Sequence, residues 1–326
     1  DPKKMKKIIT FFMLVLVAGF TSAQQDPGFS QNFLNKLDYN AGYAGMNKEF
    51  CGTVIGRDQW LNFPGLPQTF LFSGDAYLPS IGGGLGLTVM DDHLGFERTF
   101  EVKLSYSYHI IIGPGILGIG PEIGFYQKSL ITNGWLAPDG SSSAGLGGST
   151  ITDPYIPTNG ISNGTYDLGF GAYYETPQGL YVGISSSHLP SQTIQAPGMT
   201  YQYDVARQYY LMAGYTYNAS ANWDILPDLF VESDAATTQF QVDARAEFNK
   251  MIWFGLGYRM QDAVIGLVGF NYEVSQKANL KIGYSYDLTT SEIHNYSSGT
   301  HELVLQFCFK IVNPPKRTTH QTTRFL

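Results

Sequence analysis

The chain has 326 residues, 43% hydrophobic and 14% charged, with a net charge of -7, 37 glycines, 22 tyrosines and 21 phenylalanines. A soluble domain carries roughly a quarter charged residues, so an ordinary water-facing surface is excluded. The acidic balance excludes a nucleic-acid binder, which needs basic patches to replace phosphate counterions.

Met5 is followed by Lys6 and Lys7, an apolar run from Ile8 to Phe20, and Thr21-Ser22-Ala23. A basic start, a short apolar stretch and a small-residue cleavage site predict an export signal over residues 1–23, leaving Gln24 first in the mature chain. No cysteine sits at the cleavage point, which argues against a lipoprotein. Residues 24–49 lack clean alternation and have two open placements, as a plug inside a lumen or along a periplasmic rim.

Mean hydropathy is -0.11, and no stretch supplies the roughly 20 apolar residues of a membrane helix. Crossing then falls to strands. From residue 50 the chain alternates with period two. In the clearest stretch Phe100, Val102, Leu104, Tyr106 and Tyr108 share one face, and Thr99, Glu101, Lys103, Ser105 and Ser107 the other. The same pattern recurs around 165–175, 239–248 and 280–288. Strands are predicted near 50–57, 69–77, 83–91, 98–109, 116–128, 165–175, 180–188, 207–218, 226–233, 239–248, 252–260, 263–273, 280–288 and 301–310. Even-numbered connections are short, while several odd-numbered ones are long, notably 129–164, 189–206 and 289–300. That parity marks a barrel with short periplasmic turns and long extracellular loops. The fold class is an all-β transmembrane antiparallel barrel of about 14 strands over 50–310, with lipid outside and a polar, acidic lumen. Residues 311–326 form a basic periplasmic tail.

Catalytic and metal signatures are missing. The six histidines show no metal-ligand spacing, no GxSxG occurs, and Gly82-Gly83-Gly84-Leu85-Gly86 has no following helix to make a phosphate loop. The glycines read as relief of crowding in a curved wall, and Asp91-Asp92-His93 as a solvated strand end. No cofactor, metal or enzymatic activity is expected.

Closure makes the first and last strands neighbours. Cys51 and Cys308 then meet at the periplasmic end, both facing the lumen, either as a disulfide or as two buried thiols. At the opposite end Arg57, Gln59, Trp60, Asp287, His301 and Glu302 gather. They offer either an ion pair that closes the seam or a patch for a partner.

These residues carry a resemblance. Gln25-Asp26-Pro27-Gly28-Phe29-Ser30-Gln31 and Asn40-Ala41-Gly42-Tyr43-Ala44-Gly45 are similar to the opening of the PorP/SprF family, in which Asn-Pro-Ala-Tyr-Ala-Gly is common; Ala41-Gly42 departs from that form. Arg57-Asp58-Gln59-Trp60, Phe63-Pro64-Gly65-Leu66-Pro67-Gln68-Thr69, Gly84-Leu85-Gly86-Leu87, Gly283-Tyr284-Ser285-Tyr286-Asp287 and Gly299-Thr300-His301-Glu302 follow in the family's order. The resemblance implies an outer-membrane component of the type IX secretion and gliding-motility machinery of Bacteroidetes. It would support secretion and surface attachment of cargo, such as an adhesin, that bears a C-terminal sorting domain. Its implied partners are that cargo, the periplasmic ring and lipoprotein components, and outer-membrane lipid. The rival readings are a channel or hydrophobic-ligand transporter and, further off, a barrel enzyme.

Overall fold

The computed structural model describes residues 26–131, 161–195 and 202–310. The expected signal peptide, the basic tail and most of the longest loop lie outside the described residues. Fourteen antiparallel strands run β1 (Phe50–Asp58), β2 (Gln68–Leu78), β3 (Gly83–Leu94), β4 (Glu97–Ile112), β5 (Gly115–Leu130), β6 (Ile161–Glu175) and β7 (Tyr181–Ser187). They continue as β8 (Gln208–Gly214), β9 (Trp223–Ser233), β10 (Thr238–Phe248), β11 (Ile252–Arg259), β12 (Ala263–Ser275), β13 (Ala278–Thr289) and β14 (Thr300–Phe309). Each pairs with its sequence neighbours, and β1 pairs β14 from Phe50↔Phe309 to Asp58↔His301, so the barrel is closed and has no free edge.

The main departure from the expected strands is at β8, which stops at Gly214 instead of running on to 218. The next residue would pair with Pro227 of β9, which offers no N–H, so the ladder breaks and resumes at Tyr217 against Ile225.

The outer face is apolar. Phe70, Leu104, Ile123, Ile184, Val242, Phe254, Leu256, Leu288 and Leu303 all point away from the lumen and are exposed. Aromatic side chains mark both ends, with Phe50, Tyr108, Trp223, Phe248 and Phe309 at one and Tyr166, Tyr258, Tyr284 and Tyr286 at the other. That banding suits a bilayer's hydrocarbon core and its two interfaces. Turns such as 113–114 and 276–277 lie at the first end, while the connections after Leu130, Ser187 and Thr289 leave from the second. The short turns mark the periplasmic rim and the long connections the extracellular mouth.

Residues 26–49 thread the lumen from mouth to periplasm. Short helical turns at Asn32–Leu34, Lys36–Tyr39 and Ala41–Tyr43 make a compact plug. Such turns are too short to be stable alone, so the wall must hold them. Gln306 donates to the Leu34 carbonyl at 3.0 Å, Lys103 to the Asp38 carbonyl at 3.1 Å, Ser107 to the Gly42 carbonyl at 2.8 Å, and the Gly45 N–H donates to Asp75 at 2.7 Å. Phe29, Phe33, Leu34, Tyr39 and Met46 pack against Ile55, Leu71, Met90, Tyr173, Tyr210, Phe230, Trp253, Ile265 and Val304 of the wall. The lumen is therefore a packed apolar core set in a polar frame. Barrel strands take their inward apolar residues singly, so only the plug assembles them into a cluster.

The glycines have the same explanation. A Cβ at Gly84 would sit 2.2 Å from the Ala44 carbonyl oxygen, and one at Gly42 would sit 2.6 Å from the Gly118 oxygen. Gly84 makes room for the plug more than for wall curvature. Gly42, where the sequence departs from the family's common form, lets backbone lie directly on backbone.

Candidate functional site

Where β1 meets β14, the wall and the plug share one buried charge cluster. Arg57 lies opposite Glu302 in the ladder, and its guanidinium reaches Glu302 at 2.9 Å and Asp287 of β13 at 3.0 Å. Arg259, at the end of β11, adds contacts to Asp287 at 3.2 Å and to Asp262 at 3.1 Å. Ser30 of the plug sits at the centre. Its hydroxyl donates to Asp287 and accepts from Arg57 at 2.8 Å and Arg259 at 3.0 Å. The N–H groups of Ser30 and Gln31 both donate to Glu302 at 2.8 Å. Arg57 and Arg259 meet Asp287, Glu302 and Asp262, and the Ser30 hydroxyl and two plug N–H groups supply further donors, which offsets part of the cost of burying these charges.

The six residues grouped by sequence divide three ways. Arg57, Asp287 and Glu302 are each 3% exposed or less. They clamp the plug, and burial removes them from direct contact with a partner, correcting the patch reading for these three. His301 points to the outer face and packs against Tyr284 and Tyr286 in the extracellular aromatic band, because odd and even positions of one strand face opposite ways. Gln59 and Trp60 lie in the loop after β1. The Trp60 N–H donates to the Thr300 hydroxyl at 3.1 Å, the Leu61 N–H donates to the Gly299 carbonyl and the Ser298 N–H to the Leu61 carbonyl, each at 2.8 Å, so two loops close over the seam.

Gln59 and Trp60 also line an open cavity of about 530 Å³ at the mouth, with Asp26, Pro27, Gly28, Asp92, Thr237, Gln239, Arg259, Gln261 and Asp262. A second lobe of about 340 Å³ shares Asp26, Trp60 and Asp92 and adds Glu97, Tyr126, Lys128 and Tyr203. Acidic groups outnumber basic ones across both lobes. Asp26 stands at their junction. Burial alone would raise its carboxyl, but the facing His188 ring and the hydrogen bonds from His188 and Tyr210 hold it below the usual carboxylate range.

At the periplasmic end Cys51 and Cys308 are direct register partners and form a disulfide, with a Cα separation of 4.1 Å. Gln241 of β10 completes the Ser30 cluster, donating to the Ser30 carbonyl at 2.9 Å and accepting from Arg259 at 2.8 Å. Sequence reasoning missed Ser30, Gln241, Arg259 and the Asp26–His188 contact. Ser30 lies in a segment without periodicity, and apart from Arg57 its partners stand more than 200 residues away, so no local period marks it.

A family model described as type IX secretion system membrane protein PorP/SprF matches residues 21–307. No curated protein matches the chain. Among solved structures, the Acinetobacter baumannii outer membrane protein Omp33 is 9% identical, covering 81% of this chain and 99% of its own, with a TM-score of 0.40. The Ralstonia pickettii toluene transporter TbuX is 11% identical, covering 85% and 93%, with a TM-score of 0.47. The Pseudomonas putida toluene transporter TodX is 11% identical, covering 88% and 95%, with a TM-score of 0.46. Likeness at that level carries no functional weight. The family model spans nearly the whole chain, from just before the plug to the last strand: this outer-membrane β-barrel belongs to the PorP/SprF family of type IX secretion system membrane proteins.

Proposed function

We propose that the barrel is a non-enzymatic platform that supports secretion and surface attachment of cargo bearing a C-terminal sorting domain, such as an adhesin. The observation that carries this reading is the filled lumen. The chain's own residues 26–49 occupy the bore, and an open cavity of about 530 Å³ faces outward at the mouth. A transporter needs a path through the wall or the bore, whereas a platform needs a rigid rim. The acidic, Trp60-bearing mouth suits a cationic or polar protein surface. At the other end Lys250, Lys277 and Lys310 outnumber Glu49 and Glu273 around a rim cavity of about 490 Å³, which suits contact with acidic groups of the periplasmic ring.

Deletion of the gene followed by surface proteomics tests the proposal. Loss of one or more cargo proteins with C-terminal sorting domains from the cell surface, with their accumulation in the medium or periplasm, is expected. An unchanged surface proteome refutes it. Planar-bilayer recording separates the channel reading, since a large steady conductance from the intact protein would favour a pore.

A further inference from the structure

Near the mouth three lumen-facing side chains from separate strands converge. They are Glu101 of β4, Asp167 of β6 and His188, the residue immediately after β7. Each is 3% exposed or less, and one ligand-capable atom from each lies within 4.8 Å of the others. His188 Nδ1 stands 3.0 Å from Asp167 Oδ2, yet the two lack hydrogen-bond alignment, and neither atom has another hydrogen-bond partner. Neither oxygen of Glu101 has a hydrogen-bond partner. Its neighbouring cation is the Lys103 ammonium at 3.4 Å, which is already engaged by Asp38 at 3.0 Å.

The other face of the imidazole is occupied in a specific way. Nε2 lies 3.1 Å from the Asp26 carboxylate. With Nε2–H donating to Asp26, the Nδ1 lone pair is directed at Asp167 and Glu101. A carboxylate that fixes the tautomer of an imidazole, leaving its second nitrogen for a metal, is the recurring outer-shell arrangement of histidine metal sites. Charge points the same way. Asp26, Asp38, Glu101 and Asp167 face Lys103 and, if protonated, His188, so the described cluster carries excess buried negative charge. Such an excess is costly unless a proton or a further cation offsets it. His188 also holds a left-handed φ of 53°, a strained geometry for a non-glycine residue that aims its ring inward.

We propose that Glu101, Asp167 and His188 bind a divalent transition-metal ion of the zinc or manganese class, with Asp26 as the positioning carboxylate behind His188. One imidazole and two carboxylates make a mixed nitrogen and oxygen set, which suits these ions better than calcium or magnesium, whose ligands are all oxygen. Three protein ligands leave positions for water. The smaller mouth lobe, lined by Asp26 and Tyr126, supplies the approach. Because Asp26 belongs to the plug and the ligands belong to the wall, the bound ion fastens the outer end of the plug in place.

The test uses the full chain purified in detergent without a polyhistidine tag, stripped with a chelator and dialysed against zinc, manganese, cobalt or calcium. One equivalent of zinc or manganese is expected to remain after dialysis. Cobalt is expected to develop visible absorption, and calcium to fail to displace it. Glu101→Gln and Asp167→Asn should each weaken binding at least tenfold while keeping the mobility of a folded barrel on unheated gels. Sub-stoichiometric retention by the wild type, calcium competing as well as zinc, or unchanged binding in both variants would overturn the assignment. If the variants do not fold, the wild-type cobalt spectrum decides: no visible band overturns the proposal.

Discussion

Replacing Arg57 by Met tests whether the plug is held by the seam cluster. Arg57 gives up contacts to Glu302 at 2.9 Å, Asp287 at 3.0 Å and Ser30 at 2.8 Å. The losses are unequal. Asp287 keeps Arg259 and the Ser30 hydroxyl, whereas Glu302 keeps two plug N–H groups and no cation. Methionine fills much of the same volume, so the cost is chiefly that of a stranded buried carboxylate, about 3–5 kcal/mol. Adding Glu302→Gln removes the stranded charge while leaving an oxygen to accept an N–H. The double variant should therefore be more stable than Arg57→Met alone, with a coupling energy of about 2 kcal/mol between the sites. Urea unfolding in detergent, followed by far-UV circular dichroism and by gel mobility without heating, measures both quantities. A loss below about 1 kcal/mol, or strictly additive effects, would refute the claim that this pair anchors Ser30 and Gln31.

Other consequences are read more directly. Cys51 and Cys308 are 257 residues apart, so the chain-entropy model assigns their bond an upper contribution of about 5.5 kcal/mol; Cys51→Ala with Cys308→Ala should lower the denaturant midpoint, and an unchanged midpoint would contradict it. Gly84→Val places a side chain against the Ala44 carbonyl and should displace the plug, seen as new protease cleavage within 26–49 and raised conductance; a silent variant would count against the close-packed plug. A cysteine at Pro27 should react with a membrane-impermeant maleimide on intact cells, while one at Asn249 should react after permeabilisation alone. The reverse pattern would invert the orientation. Leu256 is 69% exposed near the middle of β11, so Leu256→Arg should cost about 2–4 kcal/mol if that face meets hydrocarbon; a neutral effect would place it elsewhere.

How much of this was legible depends on whether a feature is local or assembled. Period-two alternation acts over a few residues, so the fourteen strands and the parity of their connections were visible, and Cys51 with Cys308 followed once closure was assumed. The break of β8 was not visible, because it needs the register that sets Tyr215 against Pro227. The plug was legible only as one of two placements, since residues 26–49 have no period and take their form from the wall. The seam shows both limits at once. Alternation assigned Arg57 and Glu302 to one end of the barrel, yet their role depends on Ser30, which no pattern connects to them. Face parity alone should have separated His301 from Glu302, because consecutive residues of a strand point to opposite sides. A barrel's wall is thus written in short-range pattern, while what fills it is written in pairwise fit. Gly84 against Ala44 and Gly42 against Gly118 belong to the second kind. So do Asp26, His188, Glu101 and Asp167, carried by three strands and a plug, and this is why a sequence without metal-ligand spacing still gathers a ligand set at its mouth.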